Sequence, residues 1–85
     1  MADAAERVVL TVAADSPVRT ALDRPSYRQY LRRSRDGPVR PGETWAETAP
    51  RGCGTTEPIS LRVAAVEGGT VLGPETAIEF EYASE

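Results

Sequence analysis

The clearest alternation of apolar and polar positions lies in the last third of the chain. Ile59-Ser60-Leu61-Arg62-Val63 places an apolar side chain at every second position and continues through Ala64, Ala65 and Val66, the period of a strand with one covered face. Glu67-Gly68-Gly69-Thr70 supplies a turn and Val71-Leu72 begins the return. After Gly73-Pro74 the alternation resumes over Thr76–Tyr82, with Ile78, Phe80 and Tyr82 on one side and Glu79 and Glu81 on the other. Near the start, Arg7-Val8-Val9-Leu10-Thr11-Val12-Ala13 is a β-branched run bounded by Asp15, Ser16 and Pro17, which predicts a strand covered on both faces. The small, acidic residues 1–6 before it are expected to fray.

Between these strands the period changes. Asp15-Ser16-Pro17 is a helix start, an oxygen-bearing cap followed by a Pro whose missing N–H the first turn does not need. The turn it opens carries Val18, Ala21 and Leu22 and must end before Pro25. Ser26-Tyr27-Arg28-Gln29 then fits a capping box, and Tyr27, Tyr30, Leu31 and Ser34 follow at spacings of three and four. Arg32, Arg33 and Arg35 complement the C-terminal end of the helix dipole, and Gly37-Pro38 stops it. From there to Pro58, Gly and Pro recur with no sustained period, which predicts a long loop with Trp45 in its middle. In that loop Trp45 either plugs the core or anchors a partner.

Together these elements predict an α+β fold: a small antiparallel sheet of three to four strands, with short helices at about 17–23 and 27–35 packed on one face and a Gly/Pro-rich loop at 36–58. A chain of 85 residues has room for a single domain, here residues 1–85. Its 40% apolar content is less than it looks, because 12 of those residues are Ala and only 16 are Leu, Ile, Val or Phe. The core is therefore thin. The net charge of only −3, from 10 basic and 13 acidic residues, still places the chain with folded rather than disordered sequences.

Composition narrows the chemistry. With no His and one Cys, the chain alone cannot assemble a zinc finger, a His-based triad or a His-ligated haem site, and it can form no internal disulfide. No cofactor or metal is expected. The longest apolar run is far shorter than the roughly 20 residues that span a bilayer, so no membrane insertion is expected, and the expected location is the cytoplasm or an assembled particle. Cys53, in Arg51-Gly52-Cys53-Gly54, has a neighbouring arginine that favours thiolate but no His to act as base, which leaves a thiol enzyme as a distant alternative. Glu79 and Glu81 stand about 7 Å apart on one strand face, a pattern more often found on solvated strands than in acid–base pairs. Gly68-Gly69 lacks the remaining residues of a phosphate loop.

Two short stretches resemble known families. Val39–Trp45 resembles the opening of a LysM peptidoglycan-binding repeat over seven residues, but Pro50, Gly52 and Gly54 interrupt the helix pair that should follow. Leu61-Arg62-Val63 with Gly68-Gly69 and Glu79–Tyr82 resembles the sheet of A-type iron–sulfur scaffold proteins, whose defining cysteines are missing. Neither resemblance extends to a site.

Charge is more informative segment by segment than in total. Residues 16–40 hold seven of the ten arginines and a local charge of +5, against −8 for the rest of the chain. If the second helix buries Tyr27, Tyr30 and Leu31, then Arg28, Arg32 and Arg35 project away from the sheet while Glu79 and Glu81 project from the opposite face. Those two faces of opposite sign would lie beyond a Debye length of about 8 Å from each other. The expected function is a non-enzymatic protein–protein interaction or assembly subunit, a structural component of a larger complex or viral particle. Its partner would be a protein with an acidic surface or a second copy of the chain, bound through Arg28, Arg32, Arg33 and Arg35 with Trp45 as anchor. The alternative is a nucleic-acid or anionic-ligand binder using the same arginines, although a pI near 4.9 makes nucleic acid the weaker partner.

Overall fold

The computed structural model describes residues 3–14, 16–52 and 54–83. Its elements are β1 (Arg7–Val12), α1 (Ser16–Leu22), α2 (Pro25–Ser34), β2 (Gly37–Pro38), β3 (Thr44–Gly52), β4 (Thr55–Glu67), β5 (Val71–Leu72) and β6 (Ala77–Tyr82). The architecture is α+β. A four-stranded sheet in the order β3-β4-β1-β6 and a two-stranded sheet of β2 and β5 are accompanied by the two helices, which lie between β1 and β2 in the chain.

The four-stranded sheet is mixed rather than antiparallel. β1 pairs antiparallel with β4, but the first and last strands run parallel, with Val8 opposite Ile78 and Leu10 opposite Phe80. This follows from connectivity: α1, α2 and the β3–β4 hairpin intervene, and the chain returns to β1 on its free side. β4 serves two partners in succession. Its first half pairs with β3 and its second half with β1, and only Arg62 appears in both registers. A bulge between Val9 and Leu10 in the β1–β4 ladder restores the inward alternation after Ala65.

One face of the sheet holds the core. Val8, Leu10 and Val12 of β1, Ile59, Leu61 and Val63 of β4, Trp45 and Ala49 of β3, and Ile78 of β6 are all buried, and Val18, Leu22 and Leu31 meet them from the helices. Leu72, Val39 and Ala5 extend this core beneath the small sheet.

Three expectations need correction. Most of the segment 36–58 is not a loop, since β2, β3 and the start of β4 occupy it. Its glycines mark turns, and Gly42 and Gly54 hold φ of +91° and +77°, which suit residues without Cβ. The alternation of β3 was hidden because one of its inward positions is Glu47. Nor do residues 3–6 fray: the Ala5 N–H donates to Val71 O at 2.6 Å and the Glu6 N–H to Glu67 O at 2.8 Å, while Asp3 O accepts from Thr70 and Val71. A Cβ on Gly69 would strike the Asp3 and Ala4 carbonyls, so this close approach requires glycine. Finally, α2 begins at Pro25 and not after Ser26. Arg24 is extended at φ −72°, ψ 137°, as a residue before proline must be, and Pro25 opens the first turn with no side-chain cap.

Candidate functional site

The side chains of α2 reach both edges of the four-stranded sheet. Successive residues of a strand turn their N–H and C=O groups to opposite sides. Ala77 N donates to Glu6 O and Ala83 N to Val12 O, so the odd positions of β6 face β1 and the carbonyl of Ile78 faces the open edge. Arg28 Nε donates to that carbonyl at 3.0 Å, and Arg32 Nε donates to Thr76 O, just before the strand, at 2.7 Å. On the far edge, Val63 N donates to Glu43 O, which turns the carbonyls of Ala46 and Thr48 outward. Arg35 donates to Ala46 O at 3.0 Å and the Tyr27 hydroxyl to Thr48 O at 3.1 Å.

Aromatic rings support these reaches. The Arg28 guanidinium lies 5.6 Å from the centre of Phe80, Arg35 5.4 Å from Trp45, and Arg19 of α1 4.7 Å from Tyr82. Arg35 also pairs with Glu47, its Nε 2.8 Å from Oε2, and the Tyr30 hydroxyl donates to Oε1 at 2.9 Å. The Glu47 side chain keeps only 6% exposure, so this inward-facing acid of an edge strand is partnered at both oxygens.

The sequence-predicted site residues therefore separate. Arg28 and Arg35 fold inward, and the guanidinium of Arg32 is partly engaged. The expectation that they project from the sheet fails because the edge carbonyls compete for them. Trp45 is a core residue, 5% exposed and opposite Leu61, rather than a surface anchor. Arg33 remains exposed, and its side chain makes no hydrogen bond or ion pair among the described residues. Cys53 lies outside the described residues.

One residue of this surface was missed. Tyr30, expected in the buried stripe with Tyr27 and Leu31, is 48% exposed, the only large hydrophobic side chain so exposed among the described residues. Leu31 alone takes the core position on α2, and Tyr30 leans outward with its ring 5.7 Å from Tyr27. The helix thus presents an exposed ridge of Ser26, Gln29, Tyr30 and Arg33, the i, i+3, i+4, i+7 pattern of one helix face.

A hollow lies on each side of this ridge. Gln29, Arg32, Arg33, Asp36 and Pro74 line one of about 280 Å³. Tyr30, with Ala46, Thr48, Pro58 and Ser60 among its neighbours, lines another of about 530 Å³. The first offers two guanidinium groups and an amide against a single carboxylate.

The tyrosines hold their protons tightly. Burial, reinforced by Glu47, pushes the Tyr27 hydroxyl up to about 12, and burial with the Asp23 hydrogen bond does the same for Tyr82. The hydrogen bond to Glu47 also raises Tyr30.

The opposite face of the sheet is not the acidic counterpart expected. Arg7 bridges Glu67, at 2.5 Å, and Glu79, while exposed Arg62 lies in register with Thr11, itself opposite Glu81. Among the described residues no group of three or more His, Cys, Asp or Glu could hold a metal ion, and no helix is long and apolar enough to cross a membrane.

The family model described as a family of unknown function (DUF7968) matches residues 1–85, and the chain belongs to that family. No curated protein and no solved structure matches it.

Proposed function

We propose that this DUF7968 member is a non-enzymatic protein–protein interaction or assembly subunit that binds an acidic partner surface through the exposed ridge of α2. The observation that carries this reading is the placement of Tyr30 and Arg33 one turn apart, an exposed aromatic ring beside an unpaired cation. Tyr and Arg are the residue types that most often dominate interface energetics. Both are set on a helix whose other side chains are fixed to two strand edges, so little ordering is required when a partner docks.

The basic hollow suits a carboxylate. Arg32 and Arg33 supply donors, Gln29 adds its amide, and Asp36 limits the excess to one positive charge, enough for a single acidic side chain and unfavourable for a polyanion. A second copy of the chain is a poorer partner, because Arg7 and Arg62 neutralise much of the open sheet face that would have to meet this ridge. The setting is the cytoplasm or an assembled particle.

Affinity purification from the native source with wild type, Tyr30→Ala, Arg33→Glu and an Arg62→Glu control tests the reading. Partners retained by wild type and control should be lost by both ridge variants, each weakening binding by roughly thirtyfold if it is a hot spot of about 2 kcal/mol. Identical recovery with all four proteins would refute it. The same hollow could instead take the phosphate of a nucleic acid, and titration with DNA and RNA separates that reading, because such binding must fall log-linearly with salt.

A further inference from the structure

A further concave site lies beside the small sheet, between the segment that follows β2 and the turn that leads into β5. Pro38, Val39, Arg40 and Pro41 form one wall and Val66, Gly69, Thr70 and Val71 the other, enclosing about 460 Å³. That volume falls within the roughly 300–1,000 Å³ of ligand clefts. The lining is mostly apolar, and its polar side chains are Arg40 and Thr70, both exposed. Neither the Arg40 guanidinium nor the Thr70 hydroxyl has a partner among the described residues, since both residues are tied by backbone atoms: the Arg40 N–H donates to Glu43 Oε1 at 3.1 Å and its carbonyl accepts from Glu43 N, while the Thr70 N–H donates to Asp3 O at 3.0 Å and its carbonyl accepts from Val39 N.

The walls are built to hold their shape. Val39 N donates to Thr70 O at 3.0 Å, joining them across the floor, and Gly42 N donates to Val63 O at 2.7 Å, anchoring the turn after Pro41. Two prolines further restrict the first wall. The second wall is closed from behind by residues 3–5, which pack so near Gly69 that no side chain fits there. A rigid apolar groove with unpaired donors on its lining selects a ligand with an apolar body and an anionic end.

We infer that this groove binds the C-terminal residue of a partner polypeptide, its apolar side chain against Pro41, Val66 and Val71 and its terminal carboxylate on Arg40 and Thr70. The charge complementarity of a lone guanidinium beside an uncharged donor fits one carboxylate. The groove is half open to solvent, which admits the end of a chain whose preceding residues continue outward. A free small molecule would leave its outward side uncovered. The site is separate from the α2 ridge and does not depend on it.

Fluorescence anisotropy with a labelled peptide ending Gly-Gly-Leu-Val tests the inference. The free acid should bind at least tenfold more tightly than the same peptide amidated at its C-terminus. Arg40→Gln, at an exposed position, should reduce the acid to the level of the amide, and Thr70→Val should weaken it by a smaller factor, while Arg33→Glu should leave both unchanged. Equal affinity of acid and amide overturns the inference, as does binding that survives Arg40→Gln. Octanoate binding in the groove while the peptide does not would also overturn it, by identifying a small-molecule site. Circular dichroism of each variant confirms that folding is retained.

Discussion

At the scale of single residues, Glu47 sets the tone of this molecule. It occupies an inward position of an edge strand, between Trp45 and Ala49, and is tolerated because Arg35 and Tyr30 satisfy its oxygens. Removing either charge strands the other. Because the Arg35 side chain retains 31% exposure, Glu47→Ala should cost about 2 kcal/mol, below the roughly 3–5 of a fully buried pair. Thermal melts should register this as a fall in Tm of roughly 8–16 °C for a domain of this size, and Glu47→Gln, which still accepts from Tyr30, should fall less. The tyrosines make a complementary prediction at high pH. Tyr27 and Tyr82 are held at about 12 in the folded protein against an ordinary value of 10.0, so the folded state keeps these protons longer than the unfolded chain. The stability they contribute is complete below pH 10 and is lost progressively as pH rises toward 12. Denaturant midpoints measured across this interval should decline, and Tyr27→Phe combined with Tyr82→Phe should flatten the decline; an unchanged slope would contradict the assignment.

At the scale of elements, α2 closes the sheet by capping rather than by pairing. Exposed strand edges invite association, and proteins commonly protect them with charge, proline or covering elements. Here Arg28 and Arg32 occupy the β6 side while Arg35 and Tyr27 occupy the β3 side. Arg28→Ala with Arg32→Ala should uncover the β6 edge, costing about 1 kcal/mol for each lost bond and producing concentration-dependent association in light scattering. A double variant that stays monomeric at high concentration would show that the edge is protected by other means. The sequence made part of this arrangement legible. The alternation of Ile59–Val63 and Ile78–Tyr82 marked two strands, and the tyrosine–leucine spacing marked a helix. β3 escaped notice because an acid stands where an apolar residue would reveal the period, and its partner, Arg35, lies 12 residues away. The arginines were visible as a cluster, but their destinations were not, because a backbone carbonyl left open at a strand edge has no signature in the residue that carries it. The sequence groups Tyr30 with the core for a similar reason: helical spacing places residues on a face, and a stripe wider than the available core must leave one member outside.

At the scale of the whole molecule, extents of 43 × 26 × 17 Å describe an elongated body, consistent with β4 carrying β3 on one half and β1 on the other. The segmental charge survives folding in altered form. The helical layer stays basic, but much of its charge is turned onto carbonyls and aromatic rings, and the sheet face is balanced by Arg7 and Arg62. Exposed cations without a side-chain partner among the described residues include Arg33, one turn from the Tyr30 ring on α2, and Arg40, on the lining of the apolar groove. The parallel pairing of β1 with β6 has a consequence for how the protein is made. Val8 and Leu10 complete their contacts only with Ile78 and Phe80, about seventy residues downstream, so the core cannot close while residues 77–82 are still within the ribosomal tunnel. Until those residues emerge, the nascent chain carries its most apolar strand, Arg7–Val12, with one edge unpaired.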